Sequence, residues 1–191
     1  MFRIFCRDRN EGIAVTTPLT PAVQKFVLHW GEMGTRWGVN RTVAQIHALL
    51  YLSERPLHAD DLVAALGVAR SNVSTSLREL QSWGIVRVVH VLGDRRDHFE
   101  TLTDVWELFQ IVLDERKRRE IDPTMRLLRE CLDEARRGRA SRERDLVGER
   151  MQAMLTFFES TSAWYEQLRR LPRNAVIRFV KMGHRISKMI A

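Results

Sequence analysis

Cysteine is almost missing. Cys6 and Cys131 are the only two in 191 residues, too few for a disulfide framework and without the paired spacing of a metal motif. That usage fits a reducing cytoplasm, which is where the chain is expected to work. No run is long and apolar enough to span a bilayer, and the first residues lack the apolar stretch and cleavage site of a secretory leader. The six histidines make no helical pair with a carboxylate, and no Gly-rich phosphate loop, Gly-x-Ser-x-Gly elbow or Cys-x-x-Cys occurs. These absences argue against an enzyme, a metal centre or a cofactor. Acidic residues are also outnumbered, 24 against 31 Lys and Arg, for a net charge of +7. A polyanionic partner suits that balance, whereas charge by itself says nothing about fold.

What is there is organised around residues 63–83: a short apolar helix, a turn at Gly67, and a second helix with two unlike faces. At about 100° per residue, Val73, Leu77 and Leu80 fall on one side and Ser71, Thr75, Arg78 and Ser82 on the other. A solvated helix face usually carries Glu and Lys, which are strong helix formers. Here Ser71, Asn72, Ser74, Thr75 and Ser76 cluster instead, although their side chains compete for backbone hydrogen bonds inside a helix. Selection for something other than stability explains that cost. Short donors and acceptors on a slim helix can read base edges in the DNA major groove, and the flanking Arg70 and Arg78 can hold phosphate or guanine. A Ser-rich surface helix without a partner is the plain alternative.

After Trp83-Gly84 the period changes. Residues 85–92 are β-branched and apolar, residues 93–97 are a polar turn, and residues 98–102 return as a second strand. A hairpin directly behind a helix-turn-helix is a wing, and Arg95 and Arg96 at its tip would reach the minor groove or the phosphates. Upstream, Pro18 to Gly38 predicts a helix beginning near Thr20, with Phe26, Trp30, Met33 and Trp37 at helical spacing. Asn40 precedes a second amphipathic helix, and Asp60 and Asp61 fall in the first turn of the next, where the dipole favours acid. Residues 56–58 read as an extended link. Downstream, Asp104 caps a helix whose continuation over 114–120 is charged on all sides, as a solvated face would be. Pro123 permits a break or kink, Cys131 belongs with small core residues, and a long helix follows from Ser141 to about Leu168. The last stretch, 172–191, is basic and amphipathic, which fits a packing helix better than a membrane-surface one.

The chain is thus mainly α with a small β-hairpin: a mobile arm over 1–17, a helix of the dimer body over 18–38, a winged helix-turn-helix over 39–103, and a helical dimerisation and effector region over 104–191. Its expected partners are double-stranded DNA with a palindromic operator and a second copy of itself, without a membrane. A nucleoid-type binder without sequence preference and a winged-helix module that binds protein are the rival readings. Trp30, Met33 and Trp37, with Trp106 and Phe109, are candidate walls for a small effector, and hydrophobic packing accounts for the same residues.

The residues from Trp30 to Glu100 resemble the GbsR branch of the MarR-type winged-helix transcription regulators. The likeness is carried by the stretch from Trp30 to Ser53, by Ala-Arg-Ser-Asn-Val-Ser-Thr-Ser-Leu-Arg-Glu-Leu over 69–80, and by Val-Leu-Gly-Asp-Arg-Arg-Asp-His-Phe over 91–99. The resemblance implies a homodimer built from the terminal helices, with one winged helix-turn-helix per subunit. It also implies an Asp-x-Arg pair that holds the wing while arginine reaches the minor groove, which falls on Asp94, Arg95 and Arg96. Some members repress osmoprotectant genes and sense choline, so a repressor with a small-molecule input is the expectation. Aromatic faces would suit a quaternary ammonium by cation–π attraction.

Overall fold

The computed structural model describes residues 19–137, 142–172, 174–178 and 182. The expected arm over 1–17 and most of the basic stretch after 172 lie outside the described residues. The chain divides into two compact units, Met1–Thr103 and Asp104–Ala191.

The first unit opens with α1 (Pro21–Arg36), whose first free N–H groups are met by Thr20: its hydroxyl accepts from Val23 N–H at 3.4 Å. Asn40 does the same for α2 (Arg41–Leu52), accepting from Thr42 N–H at 2.8 Å. α1 lies along α2, and it can approach closely because Gly31 and Gly34 are buried in the contact. A methyl group on Gly34 would stand 2.5 Å from the Ala44 Cβ, which is fixed to its own helix. Helix propensity alone favours alanine by about 1 kcal/mol, but forcing two helices apart costs typically 1–3 kcal/mol. Gly34→Ala is therefore expected to lower thermal stability. Gly31→Ala, which meets only the flexible Gln45 and Arg41 side chains, should be the milder of the two in the same melting experiment.

β1 (Leu57–His58) leads into α3 (Ala59–Leu66), and a turn at Gly67, with φ of 64°, leads into α4 (Arg70–Ser82). That left-handed turn is the conformation glycine tolerates best. β2 (Val86–Val89) and β3 (His98–Thr101) form the hairpin. The sheet has the order β1-β3-β2, all antiparallel, so the expected link 56–58 contributes a strand: Leu57 pairs with Phe99 and His58 with His98. Two residues are too few to show a period, and pairing with β3 alone makes them a strand. The expected strand 85–92 stops early for the converse reason. Val89 already pairs with His98, the first residue of β3, so residues 90–97 have no partner strand and form the turn. The core gathers the inward faces of all these elements, with Ile46, Leu62, Val43, Val73 and Leu80 among its most deeply buried side chains.

The second unit contains α5 (Val105–Arg116), a π-helical turn over Lys117–Ile121, α6 (Asp122–Arg137) and α7 (Arg142–Arg169). Asp104 caps α5, its carboxylate accepting from Trp106 N–H at 2.9 Å. At Pro123, where the sequence permits a break or a kink, the helix continues through the π turn: Asp122 N–H bonds to the Lys117 carbonyl five residues back, and Pro123, with no N–H to give, follows. α6 and α7 pack through Met125, Leu132 and Leu155, with Met151 and Phe158 beside them. The charged stretch 114–120 is only partly solvated. Tyr165 of α7 donates to Asp114 at 2.8 Å, Arg169 reaches the same carboxylate at 3.1 Å, and Lys117 lies 3.0 Å from Asp122 and 3.7 Å from Glu166. Burial, then the bond to Asp114, raises the Tyr165 pKa. Opposite charges at these positions tie the two helices instead of facing water.

Candidate nucleic-acid interface

α4 is fixed from behind and open in front. Val73, Leu77 and Leu80 are buried, whereas Arg70, Ser71, Asn72, Ser74, Thr75 and Arg78 are all exposed. Ser76 departs from the expected hydroxyl cluster: it is buried, on the core side of the helix. The start of α4 is also unusual. Ala69 at the cap offers no side-chain acceptor, and no acidic residue occupies the first turn. Its leading N–H groups are left without a side-chain cap, and an anion is the natural complement at such an end.

The exposed surface of α4 has two flanks. Arg70, Ser74, Arg78 and Gln81 recur at helical spacing and line a groove of about 530 Å³, whose other wall is the wing, with Val88, Arg96, Asp97 and Phe99. Ser71, Asn72 and Thr75 do not line that groove and form the outer flank, joined to it where Arg78 donates to the Thr75 hydroxyl at 3.3 Å. Gln81 was not singled out by sequence reasoning, although its place three residues after Arg78 carries it to the same flank. Asp60 of α3 also lines the groove and pairs with Arg70. It balances one of the cationic side chains in the unbound protein, in an exposed pair of the kind that contributes little to stability.

The wing arginines are placed differently. Arg95 is exposed outside the groove, whereas Arg96 lies in it and is gripped by Asp94. Arg96 donates from Nε to both carboxylate oxygens, at 2.9 and 3.0 Å, and its backbone N–H donates to the same Asp94 carboxylate at 3.0 Å. These hydrogen bonds hold the Asp94 carboxyl well below the usual carboxylate range and raise the Arg96 pKa. The guanidinium is thus planar, fully charged and aimed by a bidentate partner, the arrangement that suits phosphate or minor-groove contact. Gly93, with φ of 88°, makes the tight turn that allows the Asp94 side chain to fold back over residue 96.

A helix pair, a hairpin wing and a cationic groove between them define a winged helix-turn-helix. Residues 37–97 match the model of the MarR family. Over 93 residues the chain is 25% identical to YvaV of Bacillus subtilis (strain 168), described as an HTH-type transcriptional regulator; the aligned part is 49% of this chain and 52% of that protein, so the similarity spans about half the length of each. Among solved structures, the crystal structure of a transcriptional regulator covers 84% of this chain and 99% of its own at 21% identity, with a TM-score of 0.53. A mutant MepR of S. aureus bound to an oligodeoxyribonucleotide covers 73% of this chain and 91% of its own at 18% identity, with a TM-score of 0.36. The first of these structures establishes the likeness of fold, mainly helical with a small antiparallel sheet. Among the described residues no helix is long and apolar enough to cross a membrane, and no cluster of His, Cys, Asp and Glu could hold a metal ion.

Proposed function

We propose that the protein is a homodimeric, sequence-specific DNA-binding transcriptional regulator of the MarR type, resembling the GbsR branch, that works in the cytoplasm and represses its targets in response to a small molecule. The observation that carries the reading is the groove in which Arg70, Ser74 and Arg78 of α4 face Arg96 of the wing. Such a surface matches a duplex: α4 enters the major groove, Arg78 and the short polar side chains of its two flanks meet base edges, and the wing arginines meet phosphate or the adjacent minor groove. Selection of random duplex DNA by the purified protein at two salt concentrations tests it. An inverted repeat whose affinity exceeds that of unselected DNA at both salts is the expected product. Binding that falls with salt but shows no preferred sequence would instead identify a nucleoid-type binder, and no binding at all a protein-interaction module.

Base reading has its own signature. Asn72 and Arg78 are exposed and support no core contact, so their replacement by alanine leaves the fold intact. Asn72→Ala or Arg78→Ala is expected to weaken binding to the selected sequence by about 1–3 kcal/mol while changing random DNA less. Fluorescence anisotropy on the two duplexes measures the difference, and equal losses on both would exclude base readout.

Dimerisation is supported by α7, which presents two apolar faces. Met151, Leu155 and Phe158 pack against α6, whereas Val147, Met154, Phe157 and Trp164 are exposed. The exposed set follows steps of seven, three and seven residues, the spacing of a helix-to-helix seam, and a second copy of the same helix is its natural cover. The effector reading is supported by ring chemistry. Trp30 stacks on Phe26 at 5.5 Å and meets Trp37 edge-on at 6.2 Å, next to Met33 in α1, while Trp106 and Phe109 open α5. Calorimetry with choline, glycine betaine and neutral aromatic compounds, with and without the selected DNA, tests this input.

A further inference from the structure

At the base of the wing lies a polar cluster, of which His58 also lines the groove. His98 and Asp61 are buried, and His58 is nearly so. Hydrogen bonding fixes the tautomer of each ring. His98 Nδ1 stands 3.0 Å from the Arg96 carbonyl; a carbonyl only accepts, so Nδ1 carries the proton and donates. The other ring nitrogen, Nε2, faces the Asp94 carboxylate at 3.6 Å. His58 has the opposite arrangement. Its Nδ1 accepts from Asp61 N–H at 3.1 Å, its backbone N–H donates to the Asp61 carboxylate at 3.1 Å, and its Nε2 lies 3.3 Å from the same carboxylate. His58 is thereby the cap of α3, in a reciprocal box with Asp61. The two rings meet edge to face at 5.6 Å, and their residues are paired across β1 and β3.

A two-stranded hairpin with an eight-residue turn is marginally ordered by itself. Arg96 nevertheless has its backbone and its guanidinium both held. We propose that His98 is a positioning residue for the wing arginine: seated against His58 at the start of α3, its Nδ1–H holds the Arg96 carbonyl and so fixes the backbone from which the guanidinium reaches Asp94. Through this joint the wing is registered to the helix-turn-helix, so that Arg96 and α4 present one rigid surface to a duplex. The inference rests on the reading that the wing meets DNA.

The test uses the full chain with His98→Leu, which removes both ring nitrogens, and His98→Asn, whose amide keeps a donor where Nδ1 stands. Melting curves establish that each variant is folded. His98→Leu is expected to weaken binding to the selected duplex by about fivefold to tenfold, the size of one hydrogen bond's contribution, and His98→Asn by about twofold or less. Arg96→Ala should weaken binding as much as His98→Leu, and the double variant no more than Arg96→Ala alone, because both act through one contact. Full additivity, or His98→Asn as weak as His98→Leu, would overturn the positioning role while leaving DNA binding intact. Arg96→Ala without loss would remove the wing from the interface and the proposal with it. A readout free of DNA separates the two readings: the Arg96 Nε–H resonance in NMR spectra of the unbound protein. It should be sharp in the native chain and His98→Asn, and broadened in His98→Leu. An unchanged signal in His98→Leu would sink the proposal whatever the protein binds.

Discussion

Between pH 6.5 and about 4 the protein is expected to lose about 3 kcal/mol of folding stability through one side chain, His47, and His47→Phe is expected to lose none of that share. His47 lies on α2 between two rings, 6.4 Å from Trp30 and 6.1 Å from Tyr51 by centroid, and its Nε2 is buried with no hydrogen-bond partner among the described residues. A charge there would have neither water nor a counter-ion, so burial lowers its pKa from 6.5 to about 4. The sign follows from which state takes up the proton. Above pH 6.5 His47 is neutral in both states, and its contribution is fully present. As pH falls below 6.5 the unfolded chain binds a proton that the folded chain refuses, so unfolding gains, until near pH 4 the folded His47 binds one too. Phenylalanine fills the same space between the rings and takes no proton. It also removes an unpartnered buried nitrogen, so the variant should be at least as stable as the native chain at pH 8. Urea unfolding at half-unit steps of pH measures both curves. Parallel curves would mean that the folded ring accepts a proton after all.

The same position illustrates what a sequence does and does not disclose. Hydrophobic spacing was enough to place Val73, Leu77 and Leu80 inside and Arg70, Ser71 and Asn72 outside, because a helix against a core must repeat its apolar side every three or four residues. Local chemistry placed Thr20 and Asp104 at helix starts and Gly67 at the turn, since each acts on neighbours within a few residues. What escaped depends on distant pairing. β1 is a strand only because Phe99 and His98 lie opposite it, forty residues on in the chain. His58 and His98 were unremarkable histidines until that pairing brought their rings together. Lys117 and Asp114 looked solvated because Glu166, Tyr165 and Arg169 are far away in sequence. Of the candidate interface, the outer flank and the wing arginines were legible. The division of α4 into two flanks was not, nor was the inclusion of Gln81 and Asp97 in the groove, because the wing that forms the second wall is set by the sheet.

Replacing Phe157 and Trp164 together by alanine is expected to turn a dimer into a monomer at micromolar concentration. Both rings stand on the outward face of α7 and are among its most exposed apolar side chains, 64% and 54% accessible in the single chain. Large aromatic rings are the residues that carry interfaces, often about 2 kcal/mol or more each, so losing two raises the dissociation constant by two to three orders of magnitude, roughly. The seam they would lie on runs through Val147, Met154, Thr161 and Leu168 at sevenfold spacing and through Arg150, Phe157 and Trp164 at the same spacing, three residues on. Arg150 and Thr161 interrupt it, which leaves its apolar centre at residues 154–164 and makes the two rings its main anchors. Exposure also makes the test clean. Neither ring is part of the Met125, Leu132 and Leu155 cluster that joins α6 to α7, so helix content and the melting of the subunit should hold while mass falls by half. Leu155→Ala, by contrast, should lower stability by about 2–5 kcal/mol, as buried leucines do. The consequence for DNA is geometric. A two-fold dimer sets its α4 helices about one turn of duplex apart, roughly 34 Å, and reads both halves of an inverted repeat at once. The monomeric variant should therefore bind a half-site as well as the native protein does and lose its preference for the full repeat. Sedimentation and anisotropy on half and full sites measure the two effects, and an unchanged mass in the double variant would place the dimer contact elsewhere.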